Sequence, residues 1–433
     1  MVGTTGLALA AAVSLGALLA GPVLAAPFVP AATVEQNLRQ QHRVPAPEQE
    51  VWWKATGTDM AWNNKHLGEL YPSVPVYRDG PVRPLASALR ADIAHFLVDT
   101  PRGKMRFTDF LDSDQSTNMA VVILAQGKIV FEHYARMQPY EKPIWWSVSK
   151  VFTSSLIAIL EDRGLVDVSK PVDFYLPELQ GSDFDGITVR NVLDMASGVD
   201  CSDGTYQRGS CYYEFEASMG DAVRSATSAD TPYAFLSTLH AGHWAAQGVG
   251  FDYSGVNTFV LSWLVERVMG MPFQDAVTQE FWRKMGAEGD ASFLAARHGV
   301  ALTSGGFMAK ARDMARFGLL FTPSRRVVSS ERIISTRYLD LLKKGGRPSL
   351  LQNARYAADR QALQDVKYNV YQWDRIYTNN DIYKGGWAGQ GLLINPDRDV
   401  VAVYLGYLKD DDGSEVDVLP RLRQVLDGLY GTH

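Results

Sequence analysis

Residues 144–160 read IWWSVSKVFTSSLIAIL. Two tryptophans, a serine and a lysine three positions after it stand in front of an apolar helical run. On a helix, positions i and i+3 share a face with Cβ atoms about 5–6 Å apart, so Lys150 comes within reach of the Ser147 hydroxyl. Packing among Trp145, Trp146 and Phe152 disfavours a charged amine and lowers its pKa. A lysine so placed takes the serine proton. The first turn of a helix also leaves backbone N–H groups free for a developing oxyanion. The stretch therefore predicts a nucleophile with its base. Ser-x-x-Lys also arises by chance about once or twice in a chain this long, and Ser147 also reads as a plain helix cap. The surrounding sequence has to decide.

Hairpin signals lie on both sides of it. MAVVILAQGKIVFEHYA (119–135) is two β-rich runs around Gln126-Gly127-Lys128. GLLINPDRDVVAVYLGY (391–407) is a second pair turning at Pro396-Asp397, and VLPRLRQVLDGLY (418–430) reads as a closing helix. Residues 152–320 are helical and loop-rich. The expected fold class is α/β in the α+β sense. An antiparallel sheet from both termini is flanked by helices, with a mainly helical lobe inserted at about 165–300. LASALRADIAHFLVDT (85–100) predicts an amphipathic helix with Leu85, Leu89, Ile93 and Phe96 on one face. Residues 51–90 read as irregular and aromatic. The expected organisation is an N-terminal arm over 27–84 and one main domain over 85–430.

Composition narrows the class. The chain has 433 residues, 46% hydrophobic and 21% charged, ordinary for a globular protein with a large core. A net charge of −6 carries no basic footprint and argues against nucleic acid. LALAAAVSLGALLAGPVLAAP (7–27) resembles a secretory signal, with a small-residue cleavage site near Ala25 or Ala26, although no Lys or Arg precedes it. The expectation is a signal over 1–26 and a periplasmic or secreted protein with no stable membrane insertion after cleavage. An uncleaved segment would be an anchor instead. Cys201 and Cys211 are the only cysteines, and both fall in one polar loop. In an exported protein that pattern predicts one disulfide. Spacing for zinc is absent, and His240 and His243 read as surface or packing residues.

FDYSGVNTFVLSWLVERVMG (251–270) places Tyr253 at the end of a loop before an apolar helix. DIYKGGWAGQGLLINP (381–396) leads from Lys384-Gly385-Gly386 into a strand. Ser-x-x-Lys, a tyrosine loop and a Lys-x-Gly strand, in that order, resemble the serine β-lactamase and penicillin-binding-protein superfamily, in its class C-like branch. ITVRNVLDMASGVD (187–200) and GGFMAKARDMARFGLLF (305–321) are similar to its connecting segments. The resemblance covers about residues 85–430. Within that superfamily the chain is most similar to the esterase and 6-aminohexanoate-dimer hydrolase group. The resemblance implies Ser147 as nucleophile, Lys150 and Tyr253 as general base and acid, and an oxyanion hole from the backbone N–H groups of Ser147 and Trp387. It places Lys384, Gly385, Gly386, Gly255, Trp146 and Tyr206 around the substrate, with Tyr212 and Tyr213 also in the overhanging loop. It implies a small ester or amide substrate and requires neither cofactor nor metal.

Two departures matter. Lactamases and peptidases of the superfamily carry Tyr-x-Asn and Lys-Thr-Gly. Here Tyr253-Ser254-Gly255 and Lys384-Gly385-Gly386 stand in their places. Each missing partner costs a penicillin-like ligand about 1–3 kcal/mol. The expected activity is therefore ester or linear amide hydrolysis through an acyl-enzyme. A β-lactamase or D-alanyl-D-alanine carboxypeptidase is the second reading, and Asn257 is its nearby candidate for the lost asparagine. An inactive binding module is the third, although such a module commonly loses the serine or the lysine. On this reading asparagine at 255 and threonine at 385 restore lactam recognition.

Overall fold

Two hairpins from opposite ends of the chain close one sheet. The computed structural model describes residue 1 and residues 28–41, 55–361, 364–410 and 417–431. The apolar run 7–26 and its expected cleavage site lie outside the described residues. Among the described residues no helix is long and apolar enough to cross a membrane.

The strands are β1 Ala120–Ala125, β2 Lys128–His133, β3 Val366–Val370, β4 Trp373–Tyr377, β5 Ile382–Gly386, β6 Gln390–Asn395 and β7 Val400–Leu405. They form one sheet in the order β2-β1-β7-β6-β5-β4-β3, every pair antiparallel. Strands β7 and β1 join the two ends of the chain, from Val400 opposite Ala125 to Leu405 opposite Ala120. The helices that cover this sheet or position the site are α1 Gly57–Leu70, α2 Lys150–Asp162, α3 Cys211–Met219, α4 Gly255–Met269, α5 Ala311–Leu319 and α6 Val418–Tyr430.

Side chains alternate across a strand, so each face of β1 and β7 feeds a different core. Val122, Leu124, Val401 and Val403 join the larger core with α2, α4 and α5. Val121, Ile123, Val400 and Ala402 pack against Leu419, Leu422 and Val425 of α6. Burial on both faces explains why these strands read as continuous apolar runs. Helix α2 is buried from Lys150 to Leu160, as a helix enclosed on all sides must be.

Two expectations fail at the N-terminal side. Residues 85–96 do not form one amphipathic helix. The Ala88 and Arg90 N–H groups donate to Ile129 and Val130 of β2 at 2.8 Å each, so this backbone runs along the exposed edge of the sheet. Only Ala91–His95 is helical, and Leu97 already begins a strand pairing with Gly103–Arg106. Unsatisfied strand-edge groups outweigh the helical pattern here. The irregular reading of 51–90 also misses α1. Its buried face includes Asn63, Asn64 and His66 beside Met60 and Leu67. Asn64 Nδ2 donates to the Gly406 carbonyl at 3.3 Å, and the Asn64 carbonyl accepts from Ile144 N–H at 2.8 Å. A face that buries amides shows little apolar periodicity.

Candidate active site

The Ser-x-x-Lys stretch bends before it becomes a helix. Trp146–Ser149 is a 3-10 turn, and the α-helix starts at Lys150 rather than at Ser147. In a 3-10 turn residues i and i+3 eclipse. Lys150 Nζ accordingly donates to Ser147 Oγ at 2.9 Å, and a second hydrogen reaches the Ser304 carbonyl at 2.8 Å. Trp146, directly before the serine, has φ of +46°. A bulky residue in that left-handed region stores on the order of 1–3 kcal/mol of strain, held by the packing around it. Trp145 below it is wholly buried, and its indole N–H donates to the Ala309 carbonyl at 3.0 Å.

Tyr253 stands at the mouth of α4, between two lysines. Lys150 Nζ and Lys384 Nζ each lie 4.8 Å from its ring centroid. Lys384 Nζ also donates to the Tyr253 hydroxyl at 2.8 Å. Lys384 is not the solvated surface lysine its polar neighbours suggest: it is fully buried on β5. It is satisfied by Asp374 of β4, whose Oδ1 lies 2.6 Å away while Oδ2 accepts the Gly385 N–H at 2.8 Å.

Electrostatics follow from burial and these neighbours. Burial pushes the Lys150 ammonium down to about 8, Asp203 pulls it up and Lys384 pushes it further down. Burial, then the charges of Asp374 and Asp203, hold the Tyr253 phenol well above its ordinary value, with a hydrogen bond to Ser147 acting the other way. Burial also lowers Lys384, and Asp374 opposes it. A neutral amine beside a serine, next to a phenol that keeps its proton, can move a proton in either direction.

These groups open into a cavity of about 930 Å³. Ser147, Lys150, Tyr253, Trp146, Tyr206, Gly385, Gly386 and Trp387 all line it. Trp387 is about half exposed at its rim. Tyr206 and Tyr212 face the cavity, whereas Tyr213 is buried and donates to the Val223 carbonyl at 3.2 Å. Trp373 packs in the core, donating to Tyr338 Oη at 3.2 Å. Asn257 is buried on α4 with Nδ2 3.6 Å from Met195 Sδ, so it does not replace the missing asparagine.

Cys201 and Cys211 are bridged, with Cα atoms 5.1 Å apart. Their loop is stitched to the tyrosine segment at Tyr253 and the two residues after it. Asp203 N–H donates to the Tyr253 carbonyl at 3.0 Å, Ser254 Oγ donates to the Cys201 carbonyl at 2.5 Å, and Gly255 N–H donates to Asp203 Oδ1 at 2.6 Å. Burial raises the Asp203 carboxyl to about 6 against the pull of Lys150 and of that N–H.

The two glycines are not open positions. A Cβ on Gly255 would stand 2.8 Å from Tyr212 Oη, and one on Gly385 would stand 2.8 Å from Tyr383 Oη. Simple restoration of asparagine and threonine therefore collides with tyrosines already in place. Asp203 and Asp374 are the groups that sequence reading missed.

This arrangement has relatives. The family described as Beta-lactamase matches residues 105–426. The chain belongs to the beta-lactamase family. It is 27% identical over 389 residues to the 6-aminohexanoate-dimer hydrolase of Paenarthrobacter ureafaciens, across 88% of this chain and 95% of that protein. Among solved structures, "Putative 6-aminohexanoate-dimer hydrolase from Bacillus anthracis" superposes with a TM-score of 0.71 at 22% identity, covering 87% of this chain and 94% of the other. EstCE1, "a hydrolase with promiscuous acyltransferase activity", gives 0.57 at 14% identity, over 75% of this chain and 96% of its own. A class C beta-lactamase gives 0.53 at 15% identity, over 74% and 94%. These structural likenesses bear out the expected fold: mixed helices around a large antiparallel sheet.

Proposed function

We propose that this chain is an exported serine hydrolase that cleaves a carboxylic ester or a linear amide through an acyl-enzyme on Ser147. The observation that carries the reading is the 2.9 Å contact from Lys150 Nζ to Ser147 Oγ, made by a buried lysine whose pKa falls to about 8. The name of the relative that aligns over most of the chain, a 6-aminohexanoate-dimer hydrolase, fits the same chemistry. The bridged cysteines and the signal-like N-terminal sequence support export.

Neutral Lys150 takes the Ser147 proton as Oγ attacks the acyl carbon. The carbonyl π-electrons move onto oxygen, where the N–H groups of Ser147 and Trp387 receive the charge. When the intermediate collapses, the leaving alcohol or amine takes a proton from Tyr253, and the Lys150 ammonium returns one to Tyr253. Water then attacks the acyl-enzyme, losing its proton through the same pair, and Ser147 leaves protonated. The net change is addition of one water across one acyl bond.

A fluorophosphonate probe tests the site. One label per chain is expected, at Ser147, and none on Ser147→Ala. A panel of acetyl and butyryl p-nitrophenyl esters, a chromogenic cephalosporin and a linear aminohexanoate amide tests the activity. Labelling that survives the substitution removes Ser147, and turnover of the cephalosporin as fast as the esters moves the lactamase reading to first place.

A further inference from the structure

Lys384, which the resemblance places around the substrate, is already held by another group in this protein. Asp374 Oδ1 lies 2.6 Å from its ammonium, and Asp374 Oδ2 takes the Gly385 N–H at 2.8 Å. Both oxygens of one carboxylate thus engage two consecutive residues of β5, reaching across from the neighbouring strand. The lysine is fully buried, while the Asp374 side chain is about a quarter exposed and lines the cavity. Of the Asp374–Lys384 pair an incoming ligand therefore meets the acid, beside Arg375, which also lines the cavity. Glycine at 385 supplies no hydroxyl, and Tyr383 Oη stands 2.8 Å from where a Cβ on it would be.

We propose that Asp374 is a specificity-determining residue that engages Lys384 and the Gly385 N–H as an incoming carboxylate would, so the site takes acyl substrates whose leaving group is uncharged or cationic and rejects those carrying a carboxylate beside the scissile bond. This rests on the serine-hydrolase reading above and adds the charge class of the substrate. Held by Asp374, Lys384 still donates to the Tyr253 hydroxyl at 2.8 Å, so the ion pair serves the tyrosine rather than the substrate. Like charges set against each other in a partly desolvated pocket discriminate strongly against a wrong ligand.

The test uses two phenylacetate esters that differ only in charge: the ester of 3-hydroxybenzoate and the ester of methyl 3-hydroxybenzoate. The wild-type protein is expected to favour the uncharged ester by at least about tenfold in kcat/KM, chiefly through KM. Asp374→Asn keeps the shape and removes the charge. It is expected to raise the charged-to-uncharged ratio at least about tenfold, whatever it does to absolute turnover. Fluorophosphonate labelling of Ser147 counts the folded enzyme in each preparation. A ratio unchanged by Asp374→Asn in labelled enzyme overturns the proposal and leaves the hydrolase reading intact. Should the variant not fold, the wild-type ratio decides, since equal hydrolysis of both esters overturns it as well. Failure of the wild type to hydrolyse either ester overturns both readings together.

Discussion

Gly386 lies against the turn that carries Ser147 so closely that a Cβ on it would stand 2.7 Å from the Trp145 carbonyl oxygen and 3.1 Å from Trp146 Cβ. The turn carrying Ser147 is docked on β5 backbone to backbone, and only glycine permits that approach. Gly386→Ala is expected to push the turn outward and lower kcat by at least about tenfold, because small displacements of reacting groups carry large rate costs. The steady-state kinetics of Gly386→Ala, with its circular dichroism as a check on folding, measure this. Near wild-type kcat would mean that the turn and strand are not coupled.

On the proposed mechanism the acid limb of activity belongs to Lys150. Its pKa is lowered to about 8, so below that pH it is protonated and cannot accept the serine proton. Activity therefore rises as pH passes through about 8 and then levels. Tyr253 keeps its proton well beyond, because its own pKa is raised. Asp203 is the largest influence raising the Lys150 value, so Asp203→Asn is expected to move the limb to lower pH. Since these charges interact, the apparent value belongs to the cluster. Lys150→Ala should cost at least about 10²-fold in turnover. A pH profile of kcat/KM that peaks near neutrality, or an active Lys150→Ala enzyme, would take the base role from this lysine.

The part of this site that could be read from the sequence is the part written locally. Ser147 and Lys150 are three residues apart, and both hairpins announce themselves by apolar runs on either side of a turn. The carboxylates are another matter. Asp374 reaches Lys384 across two adjacent strands, and an acid inside YQWDRIY gives no sign of a partner. Asp203 meets Gly255 over 52 residues of sequence separation. Helix α1 stayed hidden because it buries Asn63, Asn64 and His66. In residues 85–96 strand-edge pairing outweighed the amphipathic pattern. Each miss is a long-range polar contact, which leaves no periodicity behind.

The disulfide should serve the site as well as the fold. Cys201–Cys211 closes a loop of 10 residues' separation, worth about 2–3 kcal/mol in a chain-entropy account. That loop carries Asp203 and holds the Tyr253 carbonyl and the Gly255 N–H. Replacing both cysteines by serine is therefore expected to lower the thermal midpoint and also kcat at temperatures where the protein remains folded. Intact-mass measurement of the untreated protein should show two hydrogens fewer than the dithiol. A variant with lower stability and unchanged kcat would confine the bridge to a structural part.

Gly255 gives the sharpest contrast between reading by pattern and reading by packing. By pattern, asparagine at 255 would return a lactam-binding amide. By packing, the new Cβ would stand 2.8 Å from Tyr212 Oη and 3.2 Å from Ser304 Cβ. Tyr212 cannot give way cheaply, because its ring packs against Tyr206 and Phe215 and its phenol interacts with the carboxyls of Asp203 and Glu216. Residue 255 is also the first of α4, and its N–H is held by Asp203. Overpacking of this kind typically costs about 1–3 kcal/mol, and here the strain falls on the segment that positions Tyr253. Gly255→Asn is expected to lose at least about tenfold in kcat/KM on butyryl esters with no gain on a cephalosporin. Tyr212→Ala added to it should recover part of the ester activity, since it removes the colliding hydroxyl. A double-mutant cycle on the two positions measures that recovery, and strict additivity would show that the collision is not what the substitution costs.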